Sequence, residues 1–177
     1  MSHWRRLRTR RLQDCRVFHV NEVHYQAPHR PDERSFYVVE APDWINVIAR
    51  TPDDLVVLVR QFRFGTEELT LEIPGGMIDE GESPLDAARR ELVEETGYRA
   101  EEWQDLGWVH PNPAVQNNRC HTFLADSAVR VAEPTPDPDE HIDVLTIGMD
   151  EVPGRIAAGE IRHSLVISAF RLLELQR

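Results

Sequence analysis

The chain has few cysteines, no long apolar run and no excess of positive charge. Its two cysteines, Cys15 and Cys120, are too few for a disulfide framework, and its eight histidines show no zinc-like spacing with them. No apolar stretch approaches the roughly 20 residues that a membrane-spanning helix needs. The net charge of −11 argues against binding nucleic acid through a basic surface. We therefore expect a cytoplasmic protein that binds neither nucleic acid nor membrane.

The start of the chain is its one basic region. Five arginines fall between residues 5 and 11, without the apolar stretch of a secretory signal. This pattern predicts a solvated arm or a first strand rather than a targeting or nucleic-acid-binding segment.

Short β-rich runs dominate the rest of the chain. With 177 residues and 41% hydrophobic content, the chain can bury one core. Runs rich in β-branched and aromatic residues, separated by turn residues, predict strands at 15–26, 35–40, 44–50, 55–60, 69–73, 105–110, 119–125 and 143–148. Helices are predicted at 151–158 and 164–175. Such a mixture predicts an α/β fold with a central sheet covered by helices.

The segment from Ser83 to Gly97 has the features of a further helix. Ser83 can accept hydrogen bonds from the first free backbone N–H groups, and Pro84 suits the first turn. Gly97 is typical of the position at which a helix ends. Apolar residues recur three and four positions apart, which places Leu85, Ala88 and Leu92 on one face.

Three glutamates crowd the end of that predicted helix. Glu94 and Glu95 lie three and four residues after Glu91, and like charges at these spacings destabilise a helix by about 0.2–0.5 kcal/mol per pair. At an effective dielectric of about 20 and roughly 5 Å, each pair repels by about 3 kcal/mol. A bound cation reverses that sign, and carboxylate oxygens suit Mg²⁺, or Mn²⁺ as a substitute. The alternative is a solvated acidic face.

From Gly76 to Tyr98 the chain reads GMIDEGESPLDAARRELVEETGY, and this stretch resembles the Nudix box. The family pattern is Gly, five residues, Glu, seven residues, Arg-Glu, a bulky apolar residue, any residue, Glu-Glu, any residue, Gly and a bulky apolar residue. Every defined position is filled. The resemblance implies a hydrolase that cleaves a diphosphate linked to a second group. It also implies an α/β/α sandwich with mixed sheets over a single domain, 1–177, with an N-terminal strand extension at 1–42 and a core at 43–177.

The resemblance implies roles for individual residues. Glu91 and Glu95 are the main metal ligands, and Arg90 orients the glutamates. Glu82 is either an outer metal ligand or a partner of Arg90. The full set of implied metal ligands is Gly75 through its carbonyl, Glu82, Glu91, Glu94 and Glu95. The implied catalytic residues within the box are Arg90, Glu94 and Glu95.

Residues upstream of the box resemble the ADP-ribose and nucleoside-diphosphate-sugar pyrophosphatases. The runs RQFRFG at 60–65 and LTLEIPGG at 69–76 carry this likeness. Arg63 matches a position that contacts substrate phosphate, and a guanidinium can bind two phosphate oxygens at once. The alternative for Arg63 is a surface salt bridge. Glu72 is either an acid that supports the site or a solvated strand residue.

Three more residues are candidates for binding the substrate. Pro113 lies fifteen residues beyond Tyr98, close to a proline of the ADP-ribose subclass, although it also suits an ordinary turn. Asn118 belongs to a polar loop that can bind sugar hydroxyls or simply be solvated. Trp44 can stack on a nucleobase, with core packing as its alternative.

The segment 133–140 combines prolines with acids, and its alternative interpretation is a linker. By position it resembles the acidic loop that closes over the substrate in ADP-ribose pyrophosphatases, which implies a general base or an added metal ligand. Glu140 is the first candidate for that base and Asp143 the second.

Together these features predict a Mg²⁺-dependent hydrolase of ADP-ribose or a related nucleoside diphosphate sugar. The products are a nucleoside monophosphate and a sugar phosphate. The alternatives are a Nudix hydrolase of damaged nucleoside triphosphates and a domain that senses a nucleotide without hydrolysing it. By analogy with the ADP-ribose-hydrolysing members, we also expect a homodimer formed through the N-terminal strands.

Overall fold

The computed structural model describes residues 3–135 and 141–176. These residues form two compact units. The first comprises the chain up to Pro42 together with His110–Arg119, and the second comprises the described remainder. The loop 110–119 was predicted to lie within the core at 43–177, but it belongs to the N-terminal unit.

The first unit is a three-stranded antiparallel sheet. Its strands are β1 (Arg5–Asp14), β2 (His19–Gln26) and β3 (Glu33–Glu40), in the order β1-β2-β3. The arginine-rich start is therefore a strand, and each of its ten residues is exposed. The strand predicted at 15–26 begins late, at His19, because the preceding residues form a tight turn in which the Cys15 N–H donates to the Phe18 carbonyl at 2.9 Å.

The loop 110–119 is fastened to the outer side of β3. The Val39 N–H donates to the Val115 carbonyl at 2.7 Å, and the Ala41 N–H donates to Asn117 Oδ1 at 3.2 Å. These bonds cover backbone groups that an edge strand would otherwise leave open.

The second unit is built on a seven-stranded mixed sheet with the order β12-β5-β4-β10-β9, in which β6 pairs with β5 and β7 with β4. The strands of this unit are β4 (Trp44–Arg50), β5 (Leu55–Arg63), β6 (Glu68–Glu72), β7 (Gly75–Met77), β8 (Tyr98–Arg99), β9 (Glu102–Val109), β10 (Cys120–Asp126), β11 (Val129–Arg130) and β12 (Ile142–Gly148). Strands β4 and β10 are parallel, and the other pairs are antiparallel. Strands β8 and β11 form a separate two-stranded sheet.

Helices cover both faces of the central sheet. They are α1 (Pro84–Thr96), α2 (Val152–Ala157) and α3 (Ser164–Glu174), and a 3₁₀ turn at Met149–Glu151 precedes α2. Strand β4 shows why the layers form, because its side chains alternate between faces. Val47 packs with α1 residues such as Leu92, whereas Ile48 packs with α3 residues such as Phe170. The predicted α/β/α sandwich of mixed sheets is confirmed.

Most predicted elements occur close to their predicted bounds. Strand β4 matches its prediction at both ends, and α3 ends one residue before the predicted limit. Strand β5 runs three residues further than predicted, to Arg63, because it pairs with β6 along that extension. Strands β7, β8 and β11 were not predicted, because runs of two or three residues are too short to show a period.

Across residues 3–135 and 141–176, none of the helices combines the length and apolar character that crossing a bilayer requires.

Local signals set the bounds of α1. The Ser83 side chain accepts a hydrogen bond from the Asp86 N–H at 3.2 Å, as the capping pattern predicted. At the other end Gly97 has φ of 71°, the left-handed conformation that favours glycine. A Cβ atom there would overlap the Ala132 carbonyl oxygen. The helix therefore stops where the chain must turn beside residue 132.

We expect Gly97→Ala to lower the free energy of unfolding by about 2 kcal/mol or more, because a left-handed Ala costs about 1–2 kcal/mol before any overlap is counted. Denaturant unfolding measures this. Gly154→Ala in α2 is the control, because a Cβ at that position meets open space. That change should raise stability by about 0.5–1 kcal/mol. Equal stability of wild type and Gly97→Ala would contradict the assignment of Gly97 as an obligatory stop.

Candidate active site

Two glycines bring backbone against the glutamates of α1. Strand β7 starts at Gly75 and Gly76, and the Gly75 N–H donates to Glu95 Oε2 at 2.9 Å. Glu95 is only 2% exposed. A Cβ atom on Gly76 would overlap the Glu91 carboxylate. Glycine at position 76 therefore lets β7 approach the Glu91 carboxylate this closely.

Arg90 forms hydrogen bonds with the carboxylates of three glutamates, Glu82, Glu91 and Glu94. Its Nε and one terminal nitrogen donate to the two carboxylate oxygens of Glu82, each at 2.9 Å. Its other terminal nitrogen donates to Glu91 at 2.8 Å and to Glu94 at 3.1 Å. The Met77 carbonyl accepts a further bond at 3.1 Å. The structure thus places Glu82 as a partner of Arg90, one of its two predicted alternatives.

These bonds change the electrostatics expected from the sequence. The Arg90 hydrogen bonds hold the pKa of the Glu82 carboxyl below its ordinary value, and the Glu82 bonds, with Glu91 and Glu94, raise the pKa of Arg90. The mutual repulsion of the glutamates is therefore offset in part by a guanidinium of this chain.

A second ion pair lies on β5 and β6. Arg63 donates from Nε to Glu72 Oε1 at 2.8 Å and from a terminal nitrogen to Oε2 at 2.7 Å, and the Thr70 hydroxyl donates to Oε1 at 2.6 Å. The Glu72 side chain is 4% exposed and that of Arg63 is 42% exposed. The salt bridge that was the alternative for Arg63 is therefore present, and Glu72 is buried rather than solvated.

The family of the chain follows from a comparison with known domains. A model described as the NUDIX domain matches residues 40–168. The chain belongs to the Nudix family. The predicted class of enzyme, a hydrolase that acts on diphosphate bonds, is confirmed with it.

Several known proteins are similar to this chain in sequence. An ADP-ribose pyrophosphatase of Bacillus subtilis (strain 168) is 29% identical over 140 residues, which cover 78% of this chain and 76% of that protein. A protein of Bacillus methanolicus named methanol dehydrogenase activator is 32% identical over 140 residues, with the same shares covered. An ADP-sugar pyrophosphatase of Mus musculus is 35% identical over 136 residues, which cover 73% of this chain and 62% of the mouse protein.

A solved structure described as "Crystal structure of ADP compounds hydrolase" shares the fold. It superimposes with a TM-score of 0.86 at 22% identity, over 99% of this chain and 95% of that one. At this level of identity the likeness establishes the fold alone.

The Nudix box offers oxygen donors that fit a hard divalent cation, since Mg²⁺ prefers carboxylate and carbonyl oxygens. Glu91 lies in space that a side chain on Gly76 would fill, and Glu95 lies against the Gly75 backbone. In the described part of the chain, however, no three acidic, histidine or cysteine side chains converge to enclose a metal ion. The metal-binding roles of Gly75, Glu82, Glu91, Glu94 and Glu95 stay predictions.

The predicted substrate-binding residues fall in both units. Trp44 is half-buried at the start of β4, where it pairs with Met77 of the Nudix box. Pro113 is exposed in the first unit. Asn118, also in the first unit, is 1% exposed, and its Nδ2 donates to the Pro42 carbonyl at 3.1 Å. Asn118 therefore fastens its own loop, and its predicted contact with a sugar is untested.

Of the two candidates for the general base, Glu140 and Asp143, the structure describes only Asp143. Glu140 lies outside the described residues, so its role stays a prediction. Asp143 pairs in register with Arg60, and the two side chains form an ion pair at 2.7 Å. Strand alternation places Asp143 with Leu145, which packs against the core on the α3 side. Asp143 therefore lies on the face of the sheet opposite to the Nudix helix.

Thr70 contributes to the Arg63–Glu72 ion pair, although it was not among the predicted site residues. Its hydroxyl, together with Arg63, satisfies the buried Glu72 carboxylate. Residues two apart on a strand project from the same face, so the sequence of β6 could have predicted that Thr70 and Glu72 are neighbours.

The Glu72 pair predicts a pH dependence of stability. Burial raises the pKa of Glu72, but the bonds and charge of Arg63 and the Thr70 bond outweigh it and hold the pKa below the ordinary 4.5. A lowered folded-state pKa stabilises the fold above the unfolded pKa, and this stabilisation is lost as the pH falls through the folded pKa. The charged pair therefore contributes fully at neutral pH.

We expect Glu72→Gln to lower the free energy of unfolding by about 1–2 kcal/mol at pH 7, because charge-assisted hydrogen bonds are lost. The difference from wild type should shrink below about pH 4.5. Urea unfolding at a series of pH values measures both effects. Glu68→Gln is the control on the same strand, since Glu68 is exposed. A difference that stays constant down to pH 3 contradicts the prediction.

Proposed function

We propose that this protein hydrolyses the diphosphate bond of ADP-ribose or a related nucleoside diphosphate sugar, giving a nucleoside monophosphate and a sugar phosphate. The observation that carries the proposal is the cluster of box glutamates, in which Arg90 binds Glu91 and Glu94 and the Gly75 N–H of β7 binds Glu95. The names of relatives support the substrate class, since they include an ADP-ribose pyrophosphatase, an ADP-sugar pyrophosphatase and GDP-mannose pyrophosphatases.

In this proposal the box positions the reacting groups. Glu91, Glu95 and the Gly75 carbonyl would hold Mg²⁺, or Mn²⁺ in its place, and Glu94 and Glu82 would be further ligands. Such a cation, when bound, neutralises the diphosphate and lowers the pKa of the attacking water. Arg90 fixes the directions of the carboxylates through its four hydrogen-bonded partners.

Arginine is the basis of phosphate binding in this protein. All 20 of its basic residues other than histidine are arginines, because the sequence has no lysine. A planar guanidinium can donate two parallel hydrogen bonds to phosphate oxygens. We assign this role to Arg63, nucleobase stacking to Trp44, sugar contacts to Pro113 and Asn118, and proton removal from water to Glu140.

The proposed assembly is a homodimer formed through the N-terminal strands. Strand β1 is an exposed edge of its sheet, and Trp4, Leu7 and Leu12 are each at least 40% exposed. Exposed edge strands with apolar side chains pair readily with other chains. Sedimentation equilibrium measures the mass in solution, and a monomer at micromolar concentration would refute this assembly.

A substrate panel tests the proposed activity. ADP-ribose, other nucleotide sugars, dinucleoside polyphosphates and nucleoside triphosphates are each incubated with Mg²⁺, with Mn²⁺ and with a chelator. Chromatography then identifies the products. We expect kcat/KM for a nucleotide sugar to exceed that for any triphosphate by about tenfold or more, with no turnover in the chelator. Preference for a triphosphate overturns the substrate class, and binding without turnover identifies a sensor instead.

A further inference from the structure

Gln61 is a polar residue in an apolar strand, and it faces the Nudix helix. It lies on β5 after Val57 and Val59, and side chains on a strand alternate between faces. Val57 packs against α1. Gln61 is therefore on the same face of the sheet as α1, where it pairs in register with Thr70 and Ile142.

The Gln61 side chain contains a donor without an acceptor. The residue is 7% exposed, and its Nε2 is buried with no hydrogen-bond partner among the described residues. A buried N–H donor that stays unpaired destabilises the folded state, and an apolar residue of the same size would avoid that penalty. Such a group is explained when a ligand or a bound water supplies the acceptor.

Glu72 lies on the same face and already has hydrogen-bond partners. Both carboxylate oxygens of Glu72 accept from Arg63, and one also accepts from Thr70. Arg63 lies two residues after Gln61 on the same strand, so both project to the α1 face. The face therefore presents the Gln61 amide donor beside the Arg63–Glu72 ion pair. A hydrogen bond from an amide N–H is strongest when the acceptor is an anionic oxygen.

We propose that Gln61 is a substrate-positioning residue whose Nε2 donates a hydrogen bond to an oxygen of the substrate's diphosphate. This inference depends on the proposed function for the identity of the substrate. The bond forms on binding and persists through the reaction, so it contributes equally to substrate and transition-state binding. Loss of a contact of this kind raises KM and leaves kcat nearly unchanged.

Replacing the amide by an apolar group of similar size tests the inference. For Gln61→Met we expect KM for ADP-ribose to rise about tenfold with kcat changed less than about twofold. The unfolding temperature of the protein without nucleotide should equal or exceed that of wild type, because the unpaired donor is gone. A residue that only supports the fold would show the opposite combination, lower stability with KM unchanged. Gln61→Leu provides a second apolar replacement of different shape.

Gln104→Met is the matched control, because Gln104 is exposed on β9. It should leave KM and stability unchanged. Calorimetric titration with ADP separates this inference from the proposed function, since ADP carries a diphosphate without the sugar. If wild type hydrolyses no nucleotide sugar, weaker ADP binding by Gln61→Met still supports the positioning role. Unchanged ADP affinity and KM in both apolar variants, or failure of both to fold, overturns it.

Discussion

Glu95→Gln should reduce kcat by about a thousandfold or more while the protein stays folded, which corresponds to about 4 kcal/mol of lost transition-state stabilisation. The side chain is almost completely buried, and it accepts a hydrogen bond from the Gly75 N–H at 2.9 Å. A glutamine of the same size keeps an oxygen that can accept this bond. It loses the negative charge that would attract a divalent cation.

Steady-state kinetics with Mg²⁺ and thermal unfolding of the same preparations measure the two parts of this result. Glu101→Gln is the control, because the Glu101 side chain is 81% exposed. It should match wild type in both measurements. Normal Mg²⁺-dependent turnover by Glu95→Gln would refute the assignment of Glu95 as a metal ligand. Calorimetric titration with Mg²⁺ gives a readout that does not depend on turnover.

Arg90→Met should impair both stability and activity, because one guanidinium serves several acceptors at once. The Arg90 side chain is 29% exposed and bonds to Glu82, Glu91 and Glu94. Removing it leaves three carboxylates close together without their cation, so we expect the free energy of unfolding to fall by about 2 kcal/mol. We also expect kcat/KM to fall about a hundredfold or more, since catalytic groups lose their fixed directions.

Arg89→Met, one residue earlier on the same helix, is a matched control for this change. Arg89 forms a 3.5 Å ion pair with Asp86, and its side chain is 52% exposed. Exposed pairs contribute about 0–1 kcal/mol, so this variant should stay close to wild type in stability and rate. If Arg90→Met and Arg89→Met behave alike in urea unfolding and in kinetics, Arg90 does not organise the box.

Elements with strong local signals could be predicted from the sequence. The helix α1 begins after Ser83 and ends at Gly97 as predicted, because a side-chain cap and a left-handed glycine act within a few residues. Strand β4 matches its prediction because β-branched residues fill a run bounded by turn residues. The strand β7 could not be predicted, since three residues show no period and its pairing with β4 is a long-range contact.

The hydrogen-bond partners of the box residues could not be predicted from the sequence. The box spacing pointed to Arg90 and the glutamates as a group. That Glu82 binds Arg90 depends on the path of the turn that precedes α1, which brings the Glu82 carboxylate to the guanidinium. The burial of Asn118 depends on how its loop joins β3. The orientation of Asp143 away from the Nudix helix depends on the register of β12 against β5. A shift of one residue in that register would reverse the face.

The sequence by itself determined the family and the bounds of the helix in the box. These depend on residue types at fixed spacings along one segment, where covalent geometry already places the groups within reach of each other. Only the tertiary structure decided that Arg63 binds Glu72, that Gln61 holds an unpaired donor and that Arg90 offsets the charge of the box. Each of these facts arises from strand pairing or from packing between elements, where burial removes water and leaves every polar group dependent on the partner that the fold supplies.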